Sequence, residues 1–158
     1  MTEKILTNAR IIDPSQNMDE KGSVIIDKNG KIKSIGKNVK KTDVSSSAEV
    51  IDLENSILIP GIVDMKAFVG EPGYEYKENF RTLSHAALAG GVTSIVTMPN
   101  TKPLIDNVSM VDFITRRGRD KASVNLFPSA TLTRDIEGKH MTEFGLLSAK
   151  GIIGFTDV

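Results

Sequence analysis

The stretch VDMKAFVGEPG, residues 63–73, contains the residue types that first raise a question of chemistry. It has the pattern of a buried strand that runs into a glycine-rich loop, and a barrel enzyme can bind a metal ion at such a place. Two histidines one residue apart would be suitable ligands there, but this sequence has Lys66 and Phe68. The stretch is therefore either an unusual active site or the remains of one.

The only two histidines cannot form a strand-borne site of this kind. His85 lies in ENFRTLSHAALAGG, which has a helical pattern, so we expect a packing or surface residue. His140 lies in EGKHMTEF, near the start of another predicted helix, and we assign it no ligand role. Cysteine is absent, which excludes disulfides, thiolate metal sites and cysteine nucleophiles.

The overall composition excludes several classes of partner. Among 158 residues, 20 are Lys or Arg and 20 are Asp or Glu, so no excess positive charge favours nucleic acid or an anionic membrane. The N-terminal MTEKILTNARIID lacks the apolar core of a signal peptide, and no run approaches the ~20 apolar residues of a membrane span. We therefore expect a cytoplasmic protein without nucleic-acid or membrane partners.

Residues 1–56 have the pattern of short strands and turns. KILTNARIID ends at a turn signal, Asp13-Pro14, and Asn29-Gly30 joins two short apolar runs, a strong hairpin signal. The Ser-rich segment KNVKKTDVSSSAEV predicts a loop, and EVIDLENSILIPG predicts a return to strand. This part is expected to form a small β unit.

From Pro60-Gly61 onward, apolar strands alternate with helices. GIVDM, VTSIVTMPN, ASVNLFPSA and IIGFTD predict strands, and the segments between them predict helices: YEYKENFRTLSHAALAGG, NVSMVDFITRRGRD and MTEFGLLSAKG. Such alternation is typical of a parallel sheet in an α/β fold. In a parallel barrel the loops after the strands converge, and here those segments are polar or glycine-rich: MKAFVGEPGY, MPNTKPLIDN, SATLTRD and FTDV.

Residues 57–158 are thus expected to form the first half of a (β/α)8 TIM-type barrel, which normally needs ~250 residues. The alternatives are a small open α/β sheet and the N-terminal part of a longer protein. We favour the longer protein, because half a barrel would expose apolar strand edges that nothing in this sequence protects.

Several of these segments resemble the first part of bacterial dihydroorotases of the amidohydrolase superfamily. They are IPGIVDM, EPGYEYKE, AALAGGVTSIVTMPNTKPLIDN and LTRDIEGKHMTEFGLLSAKGIIGFTD. The resemblance implies a hydrolase of pyrimidine biosynthesis that converts dihydroorotate and water to N-carbamoyl-aspartate. It also implies one or two zinc ions that activate a hydroxide, and residues 1–56 as the N-terminal part of a flanking β-sandwich.

The resemblance also identifies positions where this sequence departs from the family. The family's first barrel strand carries VDxHxHxR, whose histidines bind metal and whose arginine holds the substrate carboxylate. Those positions are Lys66, Phe68 and Gly70 here. Lysine is cationic, phenylalanine has no lone pair, and glycine lacks the bidentate fork of arginine. We therefore expect an impaired or lost zinc site.

Two other positions match the family. Asn100 in MPNT matches an asparagine that helps to bind the substrate carboxylate, although it could simply be a turn residue ahead of Pro103. Asp157 in FTD matches a carboxylate that bridges the metals, and its alternative role is a strand-end carboxylate paired with a cation. Because an unpaired buried charge is costly, we hypothesise that the Lys66 ammonium replaces the metal charge and pairs with Asp157.

These expectations allow two functions of different class. One is a dihydroorotase-type enzyme with an altered site; the other is a non-catalytic homologue that serves as a structural partner of aspartate transcarbamoylase, as the resemblance implies for inactive relatives. A homo-oligomer is expected in either case. Two further segments receive structural interpretations: Glu71-Pro72-Gly73 as a loop that turns the chain, and RRGRD, residues 116–120, as a basic helix end.

Overall fold

The computed structural model describes all 158 residues, Met1–Val158. The chain divides into an N-terminal unit, Met1–Pro60, and a C-terminal unit, Gly61–Val158. Each unit has its own β-sheet and its own apolar cluster. None of the helices combines the length and the apolar character that crossing a bilayer requires.

The N-terminal unit is a mixed five-stranded sheet in which β1 is central. The strand order is β3-β2-β1-β4, with β5 also paired to β1. Pairing is antiparallel for β1 with β2 and β2 with β3, and parallel for β1 with β4 and β5. The strands are β1 Lys4–Asp13, β2 Met18–Ile26, β3 Ile32–Gly36, β4 Glu49–Asp52 and β5 Ile57–Leu58.

The hairpin predicted at Asn29-Gly30 is confirmed. Strands β2 and β3 pair with Ile26 opposite Ile32, and Gly30 has a φ of 78°, a conformation that glycine adopts without steric cost. The Asp27 carboxylate accepts hydrogen bonds from the amides of Asn29 and Lys31, each at 2.8 Å. Local turn chemistry is therefore sufficient to fix this register.

The C-terminal unit is a three-stranded parallel sheet, order β6-β7-β8, connected by helices. This confirms the predicted α/β alternation for these strands. The elements are β6 Ile62–Ala67, α1 Phe80–Ala89, β7 Val92–Thr97, α2 Val108–Lys121, β8 Asn125–Pro128 and α3 Phe144–Ser148.

The core of this unit lies where one face of the sheet meets the helices. Ile95 of β7 packs in one buried cluster with Phe80 of α1 and Ile114 of α2. The remaining buried members are Val69, Leu83, Ile105, Val111, Ala130, Leu147 and Ile152. The sheet is thus fixed to its helices on this face, and the loops after β6 and β7 leave from its carboxyl edge.

Several predicted elements extend beyond the observed ones. The third helix, predicted over residues 141–151, covers only Phe144–Ser148. The first helix begins at Phe80, not at Tyr74, because the Asn79 side chain caps the amides of Arg81 and Thr82, each at 3.1 Å. The predicted fourth strand, residues 152–157, is reduced to a single parallel bridge between Ala130 and Phe155. Glycines on both sides of its apolar residues weaken it as a strand.

Ile95→Ala should test the position of this core. Ile95 is 1% exposed within the buried cluster, so we expect a loss of about 2–5 kcal/mol in unfolding free energy from the lost burial and the cavity left behind. Urea unfolding followed by far-ultraviolet circular dichroism measures the loss. The matched control is Ile153→Ala, since Ile153 is 51% exposed and should cost less than about 0.5 kcal/mol. Equal losses for the two variants would contradict the assignment.

Candidate functional site

The loops that follow β6 and β7 pack against each other at the carboxyl edge of the sheet, and we call this region the mouth. The Lys102 amide donates to the Pro72 carbonyl at 3.0 Å. Gly73 has a φ of 94°, and a Cβ there would overlap the Lys102 carbonyl oxygen. The sequence prediction that these two polar loops converge is therefore confirmed, and the contact between them leaves no room for a side chain at residue 73.

Lys66 and Phe68 lie at the mouth, and neither side chain is a suitable metal ligand. Lys66 is exposed and its ammonium makes no ion pair, although its amide donates to the Asp64 carboxylate at 2.9 Å. The Phe68 ring centroid lies 6.3 Å from that of Tyr74, which lies 6.5 Å from that of Tyr76. A row of aromatic rings therefore extends from the end of β6 into the loop.

Gly70 is enclosed by the turn that follows it. The Tyr74 amide donates to the Gly70 carbonyl at 2.5 Å. A Cβ on Gly70 would overlap the carbonyl oxygen of Tyr74 and lie 2.7 Å from that of Glu78. The turn thus fills the space that any side chain at this position would need, so packing requires glycine here.

Asp157 is held by the protein's own donors. Its carboxylate accepts hydrogen bonds from the amides of Leu132 and Thr133, each at 3.0 Å, and from the Thr133 hydroxyl at 2.5 Å. These donors, with the Thr133 hydroxyl foremost, lower the pKa of Asp157 below its ordinary value. The hypothesised ion pair with Lys66 is wrong: three neutral donors stabilise this carboxylate, and no cation does.

Asn100 follows β7 and is half-buried at the mouth. Its side-chain oxygen is fully buried and accepts no hydrogen bond, as is also true of the hydroxyls of Thr97 and Thr131. A buried oxygen without a donor is uncommon and leaves a position where a bound molecule could donate. The Asn100 oxygen therefore does not stabilise a local turn, while its role toward a substrate stays a prediction.

The residues present do not fit the zinc site that the family resemblance implies. Nowhere in Met1–Val158 do three or more His, Cys, Asp or Glu side chains come together as a potential metal site. His85 is exposed on α1, as expected, and His140 is exposed in a loop where its carbonyl accepts the Arg134 amide. Lys66 in β6 and Phe68 directly after it replace the two imidazoles that the resemblance implies, so no chemical step through zinc follows from these residues.

Glu71 is the residue of this region that sequence reasoning missed. It is 3% exposed, accepts the Phe80 amide at 3.1 Å and pairs with Arg117 Nε at 2.5 Å. The ion pair raises the pKa of Arg117. The interpretation of Arg117 as only part of a basic helix end was incomplete. Its partner lies 46 residues away, so no local pattern could have revealed the pair.

Solved structures of similar shape define the fold class. An L-hydantoinase (dihydropyrimidinase) from Arthrobacter aurescens matches with a TM-score of 0.80 and 21% identity, covering 98% of this chain and 32% of that protein. A crystal structure of a dihydroorotase matches with a TM-score of 0.64 and 12% identity, covering 98% of this chain and 42% of the other. The chain thus has the fold of the corresponding part of these proteins.

Sequence similarity then shows the family. A family model described as dihydro-orotase-like matches residues 55–158. A dihydroorotase from Syntrophus aciditrophicus is 42% identical over 153 residues, and one from Aquifex aeolicus is 38% identical over 157 residues. These matches cover 97% and 99% of this chain but 35% and 36% of those proteins. The chain belongs to the dihydroorotase-like family and spans about a third of the length of these relatives.

Gly70→Ala should test the packing at the mouth. A methyl group there meets two carbonyl oxygens, so we expect a loss of about 1–3 kcal/mol in unfolding free energy. Chemical denaturation measures the loss. Gly154→Ala is the matched control, because a Cβ at residue 154 has nothing within 4 Å and its backbone is not left-handed. A Gly70→Ala variant as stable as the control would refute the enclosed geometry.

Asp157→Ala should destabilise the loop that Asp157 holds. Three donors lose their acceptor, so we expect a lower urea midpoint and faster amide exchange at Leu132 and Thr133. Hydrogen exchange followed by mass spectrometry checks this locally. Asp64→Ala removes a carboxylate that accepts a single amide and serves as control. Unchanged exchange at residues 132–133 would show that Asp157 does not organise this loop.

Proposed function

We propose that the protein is a dihydroorotase-family homologue whose zinc site is lost at β6, so that it does not hydrolyse dihydroorotate. The single observation that supports this is the replacement of both expected imidazoles by Lys66 and Phe68, with the Asp157 carboxylate occupied by protein donors. The relatives named above are dihydroorotases, and the reaction that we propose to be lost is the interconversion of dihydroorotate and N-carbamoyl-aspartate in pyrimidine biosynthesis.

We also propose that residues 57–158 correspond to the first strands of a (β/α)8 barrel and residues 1–56 to the N-terminal part of a β-sandwich. The register supports the barrel. The side chains of Val63 and Met65 lie on the face of the sheet opposite the helices. Phe127, which pairs with Val96, lies on the same face. Val63, Met65 and Phe127 are all exposed, whereas both faces of a parallel sheet are normally covered. In a complete barrel, the other strands would cover these three side chains.

The alternative within this proposal is that the protein is a structural partner of aspartate transcarbamoylase. In either case we expect the protein to be a cytoplasmic homo-oligomer. The loss of ligands favours a structural role, because it removes the metal chemistry and leaves the scaffold intact. The exposed aromatic row of Phe68, Tyr74 and Tyr76 suits this role, since Tyr76 is 80% exposed beside Tyr74 and aromatic residues are enriched at interfaces.

Metal content and turnover of the purified protein test the loss of the site. We expect substoichiometric zinc by elemental analysis and no hydrolysis of dihydroorotate under conditions in which the Syntrophus aciditrophicus dihydroorotase, as positive control, is assayed in parallel. Stoichiometric zinc together with turnover would refute the proposal. Replacement of Lys66 and Phe68 by histidine should raise zinc affinity about tenfold or more, whereas Lys66→Gln with Phe68→Leu should not.

A binding experiment tests the structural alternative. The protein is mixed with aspartate transcarbamoylase and analysed by sedimentation velocity, and a complex weakened by Tyr76→Ala would support an interface at the aromatic row. Leu146→Ala is the control, because Leu146 is an exposed apolar residue of α3 outside the row. Separate sedimentation of the two proteins at micromolar concentration would exclude this partner.

A further inference from the structure

The Glu71 carboxylate is the most deeply buried acidic group at the mouth. Only 4% of its side chain is exposed, and both oxygens have partners on different helices. One oxygen accepts the amide of Phe80, the first residue of α1, and the other accepts Nε of Arg117 on α2. A carboxylate buried this far requires such compensation, because removing it from water is costly.

A series of hydrogen bonds connects this ion pair to the rest of the mouth. Pro72, the next residue after Glu71, accepts the Lys102 amide at 3.0 Å, and Gly70, the preceding residue, accepts the Tyr74 amide. The first contact reaches the loop that carries Asn100, and the second closes the turn over Gly70. The residues on either side of Glu71 are therefore hydrogen-bonded to both loops.

We propose that Glu71 and Arg117 form the positioning pair of the mouth, holding the Gly70–Glu78 loop closed and, through Lys102, fixing the segment that carries Asn100. The inference rests on the proposed function only in taking the mouth as the former substrate site. The pair itself requires neither zinc nor turnover. Arg117 acts on the mouth through Glu71, from a helix that contributes no residue to the proposed substrate or metal positions.

The chain contains its own reporter for this loop. Its only tyrosines are Tyr74 and Tyr76, both within the Gly70–Glu78 loop, and it has no tryptophan. Their rings lie at an interplanar angle of 71°, and Lys77 Nζ lies 5.0 Å from the centroid of the Tyr74 ring. Tyrosine near-ultraviolet circular dichroism depends on such fixed environments, so it reports the order of this loop alone.

Arg117→Met and Glu71→Gln are the variants that test the pair. We expect each to lose at least about half of the tyrosine near-ultraviolet signal with the far-ultraviolet spectrum retained. We also expect hydrogen exchange of the Tyr74 and Lys102 amides to accelerate about tenfold or more. In the variants the loop can open without breaking the ion pair, so local opening costs less free energy. Arg117→Lys, which keeps the charge, should restore part of both signals.

Asp112→Asn is the matched control. Asp112 lies on α2, as Arg117 does, but its ion pair with Lys150, at 3.2 Å, is exposed. It should leave both readouts unchanged. Wild-type signal in Arg117→Met, or an equal loss in Asp112→Asn, would overturn the proposal. If the variants do not fold, hydrogen exchange of the Tyr74, Phe80 and Lys102 amides in the wild-type protein provides the test. Protection of these amides from exchange supports the proposed pair. Exchange rates typical of an exposed loop refute it. Zinc content and turnover are separate measurements, so this test and that of the proposed function can fail independently.

Discussion

The mouth of the C-terminal unit depends on one electrostatic constraint, which is that the buried carboxylate of Glu71 must be compensated. Water cannot do so at 3% exposure, so the compensation comes from the first amide of α1 and from Arg117 of α2. Two helices and one loop are thereby tied to a single side chain. Because backbone hydrogen bonds of the neighbouring residues reach Tyr74 and Lys102, the constraint extends to both loops.

Asp157 follows the same principle with different donors. Its carboxylate accepts hydrogen bonds from the amides of Leu132 and Thr133 and from the Thr133 hydroxyl. The loop that supplies them contains Asp135 and Ile136 with φ of 56°, an unfavourable conformation for a β-branched residue. The Thr133 hydroxyl also accepts the Gly138 amide, so the loop is held at both ends by one network.

The family frame and the chemistry of the site are therefore separable in this protein. The chain is 42% identical to a dihydroorotase over nearly its whole length, yet it lacks imidazoles at the end of β6. Scaffold packing depends on many residues, whereas a metal site depends on a few ligands that can be lost without unfolding the sheet. The Tyr74–Glu78 turn encloses Gly70, so the packing of the mouth requires a residue without a side chain at this position.

Features that depend on neighbouring residues could be predicted from the amino-acid sequence. The Asn29-Gly30 hairpin, the helix stop at Gly90 and the alternation of strands and helices depend on turn chemistry and periodicity within a few residues. The pairing of Glu71 with Arg117 and the donors to Asp157 depend on long-range packing, which no local pattern reveals, and the expected contact of Asp157 with Lys66 does not form. Those partners lie 24 to 46 residues apart, and many polar residues compete for each charge until packing brings particular groups within hydrogen-bond distance.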